Sequence, residues 1–102
     1  MNWKIGDVIS YSPVMSEESH AIITAVNETG IDAWDFEYGT YFSLTFDRDK
    51  PGNWFGRTSK RNLDMSISFE TKTRQGSFTV RQLAEEAAAQ LGITAIFKET
   101  NA

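Results

Sequence analysis

Polar and apolar residues alternate along much of residues 4–70, the period-two signature of strands with one buried face. Residues 4–11 predict a first strand, with Gly6-Asp7 bending the chain near its start. Residues 12–19 are polar and contain Pro13, Glu17 and Glu18, and predict a loop. Residues 20–26 are rich in β-branched side chains and predict a second strand. Asn27-Glu28-Thr29-Gly30 predicts a hairpin turn, with Gly30 supplying a positive φ. In the return strand, residues 31–38, Trp34, Phe36 and Tyr38 are expected on one face, and Asp35 and Glu37 on a solvated one. Gly39-Thr40 turns again, and Phe42, Leu44 and Phe46 then alternate with Tyr41, Ser43 and Thr45.

The pattern breaks over residues 47–62 with charges, Pro51, Gly52 and Gly56, which predicts a loop long for a hairpin. It resumes in its cleanest form over residues 63–70. There Leu63, Met65, Ile67 and Phe69 are expected to face inward, and Asp64, Ser66, Ser68 and Glu70 outward.

Periodicity then changes to that of a helix. Thr79 is a good N-cap, Gln82 completes a capping box, and Phe78 is placed to staple onto Leu83. Val80, Leu83, Ala84, Ala87, Ala88 and Leu91 form one apolar stripe, and Gly92 stops the helix. Residues 93–98 predict a short final strand.

Five or six strands with one late helix predict a mainly β or α+β fold. The bend in Lys4-Ile5-Gly6-Asp7-Val8 and the strand rhythm up to residue 70 resemble small SH3-like barrels. That resemblance implies a small antiparallel barrel, closed or partly open, with a C-terminal amphipathic helix. With no internal repeat or linker, residues 1–102 are expected to form a single domain.

Composition narrows the function classes. Three Trp, three Tyr and seven Phe argue for a folded core. The absence of cysteine excludes a disulfide framework, a thiolate metal site and a cysteine nucleophile. Residues 1–10 hold no apolar run of signal-peptide length, and no stretch approaches a bilayer span, so a cytoplasmic setting without membrane contact is expected. A net charge of −4 disfavours whole-surface attraction to nucleic acid or anionic lipid.

Candidate chemistry is sparse. His20 is the only histidine, and is expected at the surface beside a loop. Asp47-Arg48-Asp49-Lys50-Pro51-Gly52 starts like a calcium loop, but Pro51 and Thr58 stand where ligands are needed. No nucleophile elbow or phosphate loop is present. No catalytic residue, metal site or cofactor is therefore assigned.

The local anomaly is residues 47–61. They hold five of the ten basic residues, Arg48, Lys50, Arg57, Lys60 and Arg61, against Asp47 and Asp49, a local excess of three positive charges. Trp54 and Phe55 lie among them. Aromatics beside cations are typical anchors of protein interfaces, and they also hold single-stranded nucleic acid. The sequence thus reads as a non-enzymatic binding module, an inhibitor or adaptor acting on a protein partner through Arg48, Lys50, Trp54, Phe55, Arg57, Lys60 and Arg61. A nucleic-acid binder using the same segment is the alternative. A third reading is a small ligand-binding barrel or enzyme with a pocket lined by Trp34, Phe36 and Tyr38.

Overall fold

The computed structural model describes residues 3–11, 18–46, 54–55, 60–61, 63–64 and 69–97. Four antiparallel strands form the body of one sheet: β1 (Val8–Tyr11), β2 (Ser19–Val26), β3 (Gly30–Asp35) and β4 (Thr40–Phe46). Two-residue strands β5 (Trp54–Phe55) and β6 (Lys60–Arg61) extend it beyond β4, and β7 (Leu63–Asp64) extends it beyond β1. The order is β6-β5-β4-β3-β2-β1-β7, and no pairing among the described residues joins its two ends. The described fold is a mainly β, open antiparallel sheet with one helix. Met65, Ser66, Ile67 and Ser68 of the expected strand over 63–70 lie outside the described residues. At its ends Leu63 and Asp64 pair with β1, while Phe69 is buried and Glu70 exposed in a turn.

Both faces of the sheet are covered, so β1 and the start of β2 are buried at every position instead of alternating. One face gathers Trp3, Ile9, Tyr11, Ala21, Ile23, Ile31, Ala33 and Leu44. The other gathers Val8, Ile22, Phe36 and Phe69 under helix α1 (Val80–Leu91). The helix buries Val80, Leu83, Ala84, Ala87 and Ala88, the expected stripe, and Leu91 packs at its margin. Thr79 and Gln82 close the capping box, and Gly92 ends the helix with a φ of 72°. Phe78, the residue expected to staple, is 47 % exposed.

Several boundaries differ from the sequence pattern for local polar reasons. The first strand starts at Val8, because Gly6 turns with a φ of 99° and packs so closely that a Cβ would lie 2.0 Å from the carbonyl oxygen of Thr94. The expected final strand reduces to one parallel bridge. Ile96 donates its N–H to the Gly6 carbonyl and accepts from the Val8 N–H, which covers the edge of the sheet there. Gly30 does not take the expected positive φ. The turn is formed instead by Asn27, whose Oδ1 accepts the N–H groups of Thr29 and Gly30. Glycine is needed at position 30 because a Cβ would meet the Leu44 carbonyl oxygen at 2.0 Å across the β3–β4 pairing.

Candidate functional site

The return strand stops at Asp35, three residues before the expected end, and that stop builds the main polar cluster of the described residues. Asp35 Oδ1 accepts the N–H groups of Glu37 and Tyr38, both at 2.8 Å, and Gly39 N–H closes on the Asp35 carbonyl. An aspartate that binds backbone two and three residues ahead competes with the strand ladder and turns the chain. Its other oxygen, Oδ2, accepts from the Tyr11 hydroxyl at 2.5 Å and the Ser19 hydroxyl at 2.7 Å. Asp35 is fully buried, so these bonds replace the water it gave up.

The turn points Glu37 inward. Its Oε2 lies 2.5 Å from His20 Nδ1, and its Oε1 accepts the backbone N–H of Arg74 at 2.9 Å. The Arg74 guanidinium adds an Nε contact to Oε1 at 3.7 Å, donates through Nη2 to the Glu18 carbonyl, and stacks 4.4 Å from the centre of the Tyr38 ring. Gln75 Nε2 donates to the carbonyls of Phe36 and Glu37. Burial pushes the Glu37 carboxyl up in pKa. The hydrogen bonds from His20 and the Arg74 N–H, with the electrostatic attraction of the same two residues, outweigh burial and hold it below its ordinary value.

Two expectations are corrected here. His20 is buried, because it lies on the covered strand β2 opposite Ser10 and turns its ring onto Glu37. Asp35 and Glu37 do not line a solvated face; both are buried and hydrogen-bonded.

The chemistry open to this cluster is limited by its own contacts. A carboxylate on Nδ1 orients an imidazole as it does in general-base sites. Yet Nε2 faces a second carboxylate, Glu18 Oε1, at 3.6 Å. The ring is thus held between two acids and joins chain segments. Among the described residues, no group of three His, Asp or Glu side chains is arranged to hold a metal ion.

The sequence-predicted binding residues separate into two groups. Trp54 and Phe55 form β5, Lys60 and Arg61 form β6, and the register sets Trp54 opposite Arg61 and Phe55 opposite Lys60. Part of the expected 47–62 loop is therefore a hairpin extending the sheet. Arg48, Lys50 and Arg57 lie outside the described residues. The residues of the third reading diverge. Phe36 is buried under α1, Trp34 packs on Tyr41 with ring centres 4.6 Å apart, and Tyr38 sits exposed beneath Arg74. No protein-family model, curated protein or solved structure matches the chain, so its chemistry is read from its own residues.

Proposed function

We propose that this chain is a non-enzymatic binding module, an inhibitor or adaptor that docks an acidic surface of a protein partner through residues 48–61. The observation that supports this reading is the β5–β6 pairing. It sets two aromatic and two cationic positions in adjacent cross-strand pairs on the last strands of the sheet. Residues opposite each other in an antiparallel pair lie about 4.5–5.5 Å apart at Cβ. Successive residues of a strand alternate between faces, so each face at this end of the sheet carries one aromatic and one cationic position, both of interface-forming type, in a chain whose net charge is −4. The reading includes the SH3-like barrel architecture and a cytoplasmic setting, since a cysteine-free chain needs no oxidising compartment.

The test compares wild type, Trp54→Ala and a Lys60→Ala/Arg61→Ala double variant. Each is immobilised against lysate of the native host, with the melting temperature of each measured in parallel. A protein retained by wild type and lost from Trp54→Ala at unchanged melting temperature supports the reading. Its affinity should fall about thirtyfold or more, as for a hot-spot tryptophan. Retention of single-stranded oligonucleotide with steep loss in salt would favour nucleic acid instead. Cations on a terminal strand also discourage edge-to-edge pairing. Aggregation of the double variant with partner retention unchanged would reduce Lys60 and Arg61 to that role.

A further inference from the structure

We propose that Glu37 is an acid-sensitive latch, which fastens the loop over residues 70–78 to the β3–β4 turn and releases it when the carboxylate is protonated. The loop is closed on itself. Thr73 donates its N–H to the Phe78 carbonyl, Val80 donates to Thr71, and Lys72 bridges to Thr79. It therefore has the means to move as a unit. Among the described residues, Arg74 and Gln75 attach it by hydrogen bonds to the β3–β4 turn and the start of β2. Glu37 receives the Arg74 N–H directly, lies beside its guanidinium, and offers its carbonyl to Gln75.

Among the described residues, the charged or titratable groups around this carboxylate are few. Glu18 and His20 stand at the start of β2, Arg74 is on the loop, and Asp35 ends β3 with Tyr11 of β1 behind it. Asp35 accepts the Glu37 N–H and keeps the turn in place whether or not the Glu37 side chain is ionised. Protonation of Glu37 leaves the turn intact while weakening both of the charge-assisted contacts, to His20 and to Arg74. The downward displacement of the Glu37 pKa is the same coupling seen from the proton's side: the latched state favours the ionised form. Opening would free Arg74 from the Tyr38 ring, which is already 44 % exposed. Tyr38 and Arg74 would then be presented separately.

Amide and carboxyl NMR titration of the full chain decides this. In wild type, the Arg74 amide resonance should move with the same inflection as the Glu37 carboxyl carbon, below the ordinary glutamate range. The Thr73 and Ile22 amides should stay in place through that step. In Glu37→Gln the Arg74 step should vanish. Three outcomes overturn the latch: an Arg74 amide that stays fixed while Glu37 titrates, an Arg74 step that persists in Glu37→Gln, or loss of the Arg74 and Ile22 amides together at one pH. If Glu37→Gln does not fold, the shared or separate wild-type inflections decide alone.

Discussion

On the face under α1, stability comes from many small, interchangeable contacts. Val8, Ile22, Phe36 and Phe69 meet a helix stripe that is mostly alanine, and the helix approaches closely because its side chains are short. At the end of β3 the opposite holds. Two carboxylates, Asp35 and Glu37, are buried within two residues of one another, and each is tolerated only because named donors reach it. Apolar packing degrades by increments as atoms are removed. A buried polar network fails as a unit, because each lost partner leaves desolvated groups behind. The molecule thus has a graded region and an all-or-none region.

The sharpest way to break the comparison is Asp35→Ala. It leaves the Tyr11 and Ser19 hydroxyls and two backbone N–H groups without their acceptor. It should cost about 3–5 kcal/mol, since each buried polar group left unsatisfied costs about 1–3 kcal/mol and relaxation recovers part of the sum, read as a loss of urea midpoint. Leu83→Ala tests the graded region. Leu83 is 8 % exposed and faces the sheet, so about 2–3 kcal/mol is expected from lost burial and cavity. An unchanged thermal midpoint would remove Leu83 from the core.

Glu37→Gln comes next. The substitution removes the negative charge that His20 Nδ1 and the Arg74 N–H and guanidinium face, so about 1–2 kcal/mol is expected at neutral pH. The pH dependence carries a definite sign. The folded carboxyl of Glu37 lies below its unfolded value. Its contribution is therefore fully present above the ordinary carboxylate range, and is lost as pH falls through the lowered folded value. Urea midpoints measured from neutral to acid pH should converge for wild type and Glu37→Gln; a constant gap would show that ionisation of Glu37 plays no part. The smallest effect belongs to Thr79→Ala. It removes the cap hydroxyl that accepts the Gln82 N–H, at about 1 kcal/mol, and should appear as a modest fall in melting temperature with the sheet unchanged.

How far the fold was legible depends on range. The capping box, the apolar stripe and the Gly92 stop lie within a few residues of one another, and their chemistry is local. The β2–β3–β4 meander was equally readable from alternation and short turns. Alternation predicts too long a return strand, because Asp35, Phe36, Glu37 and Tyr38 continue the pattern past the point where Asp35 captures its own backbone. Periodicity registers which residues are apolar and is blind to a side chain that ends the ladder. The nearest usable signal was an aspartate four residues before Gly39, a spacing suited to a turn.

The polar cluster was hidden for a different reason. His20 and Glu37 are 17 residues apart, and Glu37 and Arg74 are 37 apart. Nothing in the neighbourhood of any one of them announces the others. The 47–62 segment shows the reverse case: its charge and aromatic content stand out in the sequence, while only backbone pairing set Trp54 against Arg61 and Phe55 against Lys60. The sequence by itself determined the helix, its caps and stripe, the meander, and the local excess of cations, because each rests on residues close in the chain. The tertiary structure alone decided that both sheet faces are covered and that His20 and two acids are buried as partners. Desolvation is a property of what the rest of the chain lays over a residue, and an ionisable group stays buried only where distant segments bring it a partner.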